Sequence, residues 1–329
     1  PDNAYTVTPL VSDLAPDLAP NPDPNLVNGW GLARSATSPW WVADNGTDKS
    51  SLYTSSGTIV PIAPDVGGGP TGLVFAGITG NFLVGTKADP TTLAPAAFIF
   101  ASEDGKIRAW RFNSTEALVT ADLDDGAIYK GLAIGQVAAG PRLYAADFHN
   151  ARVDVFDGAW HDVTPAGSFL DPELPAGYAP FGIQTIGGRI FVTYAKQDEE
   201  AEDELAGQGR GFVDAYDLAG NLIGRLEGHG PLDAPWGLAL APAGFGRFAG
   251  DLLVGNFGDG QINAYEEVEP GVFEHRGTLR DANGDRLAID GLWALEFGNA
   301  GSNGTPDQLF FTAGPDDETH GLFGMITAG

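Results

Sequence analysis

The sequence contains no cysteine and only one methionine. Disulfides, thiolate nucleophiles and cysteine-ligated zinc are therefore excluded. Basic residues are scarce: 17 Lys and Arg stand against 44 Asp and Glu, for a formal net charge of −27. A chain this acidic lacks the basic patch that nucleic acid or an anionic membrane surface requires, so neither partner is expected. No apolar run reaches the roughly eighteen residues of a membrane-spanning helix, and no membrane insertion is expected. There is no GxSxG elbow for a serine nucleophile, and the five histidines show no HxH or HExxH spacing.

Glycine (47) and proline (23) are abundant, beside 43% hydrophobic residues. This composition disfavours long helices and supplies turns for many short strands. The stretch 234–265, APWGLALAPAGFGRFAGDLLVGNFGDGQINAY, shows the pattern most clearly. Its apolar segments WGLALA, DLLVGNF and QINAY have the period of two that half-buried strands show, and Gly- and Pro-bearing turns separate them. The opening phrase recurs as NGWGLA (28–33), PTGLVF (70–75), YKGLAI (129–134), APFGIQ (179–184) and IDGLWALEF (289–297). Self-similarity at roughly 40–50 residues marks a propeller or solenoid.

The expected fold is all-β, a six-bladed β-propeller in which residues 1–329 form one domain. Its blades fall near 26–68, 69–126, 127–177, 178–231, 232–285 and 286–329, each with up to four strands. The sixth copy stops after its third strand, and Tyr5–Leu10, in the segment 4–12, has no blade of its own. Pairing this strand onto the last blade closes the ring and removes exposed edges. Residues 80–97 read as an insertion in the second blade. Gly31, Gly72, Gly131, Gly182, Gly237 and Gly291 open the first strands, where a missing side chain lets backbones crowd the axis.

The phrases NGWGLA (28–33), FASEDG (100–105), YAADFHNARVDVFD (144–157), YAKQDEEAEDELAGQGRGFVDAYD (194–217), WGLALAPAGFG (236–246) and DGLWALEFGN (290–299) resemble those of a group of secreted bacterial six-bladed propellers. These are NHL-like and often carry a C-terminal surface-sorting tail. The likeness spans essentially the whole chain. It implies the propeller fold and an extracellular or cell-surface location, and it implies no mechanism.

Within a blade the first strand starts at one rim of the channel, and the turn between the second and third strands returns to that rim. These starts and turns therefore converge on one face, where loops on a rigid scaffold commonly bind ligands. The expected ligand-binding face is Asn28, Asn45, Glu103, Asp104, Lys130, Phe148, His149, Lys196, Asp198, Asn256 and Phe257. Three uses of it are open. It can be a recognition or scaffold platform of a monomer, binding a small molecule, polymer or protein at the cell surface. It can be the site of a metal-dependent hydrolase, lactonase- or phosphoesterase-like. There Ca²⁺ or another divalent cation would take oxygens from Asp290, Asn45 and Asn256, with His149 as the catalytic base. Or its polar groups can simply bond one another.

Two loops stand out. Residues 197–209, QDEEAEDELAGQG, place a run of acids in what is otherwise a short hairpin turn, either a lid or cation site or a solvated, self-repelling loop. Residues 281–290, DANGDRLAID, lack the Gly and Glu of a calcium loop and read as an Asn-Gly turn.

Overall fold

The computed structural model describes residues 2–77 and 80–329. Its regular elements are strands and three short 3₁₀ turns. Six sheets form the blades, and a two-stranded ladder of Leu83–Val84 with Ala94–Pro95 lies within the insertion. Blade one comprises Gly29–Ala33, Trp40–Asp44 and Lys49–Tyr53. Blade two comprises Pro70–Phe75, Phe98–Ser102, Lys106–Trp110 and Leu118–Asp122. Blade three comprises Tyr129–Val137, Gly140–Asp147 and Arg152–Asp157. Blade four comprises Tyr178–Ile186, Arg189–Lys196, Gly211–Tyr216 and Leu222–Gly228. Blade five comprises Pro235–Leu240, Leu252–Asn256, Ile262–Glu269 and Val272–Thr278. Blade six comprises Leu292–Phe297, Leu309–Ala313 and Leu322–Ala328.

The ring closes as the spare N-terminal strand implies. Tyr5–Ser12 runs antiparallel to Leu322–Ala328, with Tyr5 opposite Ala328 and Ser12 opposite Leu322. The strand is longer than the Tyr5–Leu10 read from the sequence, and Asn21–Pro22 pairs beside it. Blades one and three stop at three strands, so the expected fourth strand is not general. Aromatic side chains cement neighbouring blades. Trp41 stacks on Phe98 at 4.1 Å between blades one and two, and Trp40 meets Phe310 at 5.0 Å between blades one and six.

All six inner strands slip register near their starts, between Gly29 and Leu32, Pro70 and Leu73, Tyr129 and Gly131, Pro180 and Ile183, Pro235 and Gly237, and Leu292 and Leu295. Such a bulge re-aims the side chain it carries. The slipped positions hold Trp30, Thr71, Lys130, Phe181, Trp236 and Trp293. Gly31, Gly72, Gly131, Gly182 and Gly237 follow the first five, packed against the next blade. A Cβ on Gly182 would lie 2.1 Å from the Trp236 carbonyl oxygen, and one on Gly237 2.5 Å from that of Trp293.

Gly291 is not the sixth member of this set. It precedes Leu292–Phe297 and has a positive φ of 64°. Ala294 takes the corresponding place. Its N–H donates to Thr312 Oγ1 at 3.1 Å, and that hydroxyl donates to the Trp30 carbonyl at 2.5 Å, joining blade six to blade one.

Overpacking a closed backbone contact costs about 1–3 kcal/mol. Gly182→Ala is therefore expected to lower the unfolding free energy by an amount in that range, read as a lower urea midpoint at an unchanged slope. An unchanged midpoint would show that the inner strands are not in enforced contact.

Candidate functional site at the channel mouth

The bulged residues fill the axis. Trp30 and Trp293 stack with centroids 3.7 Å apart, and Trp236 meets them edge-on at 6.3 and 5.9 Å. Phe257 stacks on Trp293 at 4.1 Å, and Phe181 approaches it edge-on at 5.8 Å. Two indoles are anchored by polar bonds: Trp236 Nε1 donates to the Lys130 carbonyl at 3.0 Å and Trp293 Nε1 to Asn28 Oδ1 at 2.8 Å. Trp30 Nε1 is buried without a hydrogen-bond partner. Further along the axis Leu32, Leu73, Leu132, Ile183, Leu238 and Leu295 line a space of only about 30 Å³.

Over this plug lies a polar collar centred on Lys130, whose side chain is 1% exposed. Its ammonium donates to Glu103 Oε1 at 2.6 Å and to Asp203 Oδ1 at 3.2 Å, and lies 5.3 Å from the Trp30 ring centroid. Burial alone would lower the pKa of this amine, but the fields of Glu103, Glu204 and Asp203 outweigh it and hold the group up at about 12. The collar continues through amides. Asn45 Nδ2 donates to Glu103 Oε2 at 2.9 Å, and Asn28 Nδ2 donates to Asn45 Oδ1 at 3.2 Å and to Glu318 Oε2 at 2.6 Å. Asn28 takes a positive φ of 49°, a conformation that asparagine tolerates.

The acidic segment 197–209 is folded onto this mouth. The His149 ring Nδ1 lies 3.1 Å from the Ala201 carbonyl, and Gln197 Nε2 donates to the Phe148 carbonyl at 2.6 Å. Asp203 reaches the ammonium, while Glu199, Glu200 and Glu202 stay exposed to solvent. The loop is thus a strap with one face latched and one face solvated. Glu204 is half-buried, and burial pushes its carboxyl up to about 8 against the pull of Lys130. Burial likewise raises Glu318, against the hydrogen bond from Asn28.

Of the residues expected on this face, the structure links Asn28, Asn45, Glu103, Lys130, Phe148, His149 and Phe257 through the plug, the collar and the strap. The others turn elsewhere. Asp104 forks onto Arg108 at 2.6 and 2.7 Å. The Lys196 ammonium lies 3.3 Å from the Ala176 carbonyl and 5.3 Å from the Tyr178 ring centroid. Asp198 accepts from the Glu202 N–H at 2.9 Å within the strap. Asn256 Nδ2 donates to the Pro231 carbonyl and to Asp259, and its Oδ1 is buried without a partner. Asp290 is exposed and accepts from the Asp316 N–H.

Asp290, Asn45 and Asn256 share no partner, and no group of three or more His, Cys, Asp or Glu among the described residues is arranged to hold a metal. The point on which Glu103 and Asp203 converge is filled by the Lys130 ammonium. The sequence reading missed Asp203, Glu204 and Glu318 as collar members, and it missed the tryptophans as a plug. Trp30, Phe181 and Trp236 each stand immediately before a strand-opening glycine, which was the available signal for them, whereas Trp293 precedes Ala294 and carried no such signal. The 281–290 segment forms a turn, as its Asn-Gly suggests, with Asp281 Oδ1 accepting the N–H groups of Asn283 and Asp285.

A closed ring of six blades around a plugged axis defines a six-bladed β-propeller. The chain belongs to the family of two proteins of Acanthamoeba polyphaga mimivirus, Uncharacterized protein R648 and Uncharacterized protein L690. It is 30% identical to R648 over 324 residues, covering 92% of this chain and 76% of that protein. It is 30% identical to L690 over 323 residues, covering 92% and 81%. No family model matches. Among solved structures, soluble aldose sugar dehydrogenase from Escherichia coli superposes with a TM-score of 0.57 at 12% identity, covering 99% of this chain and 100% of that one. Virginiamycin B lyase from Staphylococcus aureus gives 0.52 at 14%, covering 99% and 100%. At these identities the likeness shows the fold alone. These viral relatives do not bear on the bacterial, secreted character that the resemblance implied.

Glu204 binds its proton more tightly folded than unfolded. Its contribution to stability is whole below its ordinary value of 4.5 and is lost as the pH rises through about 8. Glu204→Gln is therefore expected to flatten the fall in melting temperature between pH 5 and 8, a window taken from those values. Parallel curves for the two proteins would refute the burial of this carboxyl.

Proposed function

We propose that this propeller is a recognition domain whose channel mouth binds a cationic partner, a lysine- or arginine-bearing protein segment. The observation that carries the reading is a charge imbalance. Glu103, Asp203 and Glu318 share the field of one ammonium, Lys130, while Glu204 beside it keeps its proton up to about pH 8. Beside them Phe257 is half-buried on Trp293, which holds Asn28 and through it Glu318. An aromatic ring flanked by carboxylates attracts an ammonium or guanidinium by Coulomb and cation–π forces together. The exposed acids of the strap extend the same field outward. A cell-surface or extracellular setting belongs to this proposal and rests on the resemblance to secreted propellers.

The other reading is a metal-dependent hydrolase with His149 as base. A Ca²⁺ ion would have to draw Asp290, Asn45 and Asn256 away from their present separate partners. Stoichiometric divalent metal in the purified protein, lost with EDTA together with melting temperature, would favour it.

Fluorescence anisotropy with a labelled lysine-rich peptide tests the recognition reading. Binding should weaken steeply with added salt. Phe257→Ala and Glu318→Gln should each weaken it about fivefold, the factor of roughly 1 kcal/mol. Equal binding of an aspartate-rich peptide, or variants that bind like the parent chain, would overturn it.

A further inference from the structure

The insertion in the second blade helps to build a cavity on the face of the ring opposite the channel mouth. The insertion strand Ala94–Pro95 and the adjoining Ala96 line one part of it. The turn that follows Lys106–Trp110 contributes Arg111 and Phe112, and the end of the inner strand contributes Phe75. The volume is about 590 Å³, within the range of small-molecule sites. Phe112 is 66% exposed. A single exposed ring needs no explanation, but this one lines a cavity together with half-buried Phe75 and the apolar wall of the insertion. Phe75 packs on Phe98 at 5.3 Å and Phe112 on Trp110 at 5.4 Å, rather than on each other, so the cavity is not closed by a ring-on-ring contact.

Charge selects what would use it. Arg111 is the one charged residue of the lining. Its Nη1 donates to the Thr92 carbonyl of the insertion at 2.8 Å. Among the described residues its Nε and Nη2 have no hydrogen-bond partner and the guanidinium has no ion pair, in a chain where 44 acids face 17 bases. The Nε–H and Nη2–H bonds form one edge of the guanidinium and run parallel, a fork that matches the two oxygens of a carboxylate. The lining holds no acid to repel such a group.

We propose that this cavity binds a small organic carboxylate with an aromatic body, an arylalkanoate in chemical class. The carboxylate accepts from Nε and Nη2 of Arg111, and the ring packs on the exposed Phe112. The insertion makes the site, because it supplies both a wall and the carbonyl that holds Arg111. The site does not depend on the recognition role proposed for the channel mouth, which selects cations.

Titration calorimetry at neutral pH with 3-phenylpropanoate and its isosteric amide, 3-phenylpropanamide, tests it. The acid should bind about tenfold tighter than the amide, the advantage of a forked charged pair over neutral bonds. Arg111→Gln should abolish that preference, and Arg111→Lys, which keeps the charge and loses the fork, should reduce it. Phe112→Ala should weaken both probes about fivefold and keep the preference, because it removes the ring and leaves the charge. Arg247→Gln removes an exposed arginine outside the cavity, 5.9 Å from the Phe248 ring centroid, and should bind both probes like the parent chain. The proposal falls if the parent chain binds neither probe or both equally, if either Arg111 variant keeps the full preference, if Phe112→Ala binds both probes like the parent, or if Arg247→Gln loses the preference.

Discussion

One ammonium group ties the channel mouth together. Lys130 Nζ is almost wholly removed from water, which is costly for a charge unless carboxylates replace the solvent. Glu103, from the second blade, and Asp203, from the strap of the fourth, do so directly. Asn45 and Asn28 carry the network into the first blade, and Glu318 brings in the sixth. The fifth contributes Trp236, whose indole N–H bonds the Lys130 carbonyl. Every blade therefore touches a network organised around one side chain. The cation that a metal would supply at such a place is here covalently part of the chain.

The position of that side chain follows from backbone geometry. Each inner strand carries a register slip at the same place, and the slipped residue is aimed at the axis. The glycine that follows five of these residues allows the neighbouring blades to close. Aromatic residues at several slipped positions then fill the channel, and the lysine at one of them gathers the acids. The same geometry explains why the mouth is a charged surface over a closed plug.

Much of the fold was legible in the sequence. Period-two strands and a repeated opening phrase require only local chemistry, so the propeller and its closure by the N-terminal strand could be read directly. The convergence of Asn28, Asn45, Glu103, Lys130 and His149 also follows from topology. Finer choices were not legible. Glu103 and Asp104 are adjacent in one turn, and only the pairing partners decide that one faces Lys130 and the other Arg108. Gly291 looks like the other strand-opening glycines, but the register slip puts Ala294 in that role. Acidity alone did not reveal that the strap is held by Asp203 and by the Ala201 carbonyl, because both contacts are made to the neighbouring third blade, 73 and 52 positions away in the sequence.

The central claim is that Lys130 latches the acidic strap onto the channel mouth. Hydrogen–deuterium exchange of the strap in Lys130→Met measures it most directly. The amides of Asp198, Ala201 and Leu205 are bonded within and beside the strap. On this account they exchange about tenfold faster in the variant, the factor that roughly 1.4 kcal/mol of lost latching gives, while the amides of the blade strands keep their protection. Equal protection of the strap in both proteins would contradict the account, because the loop would then hold its place without the ammonium.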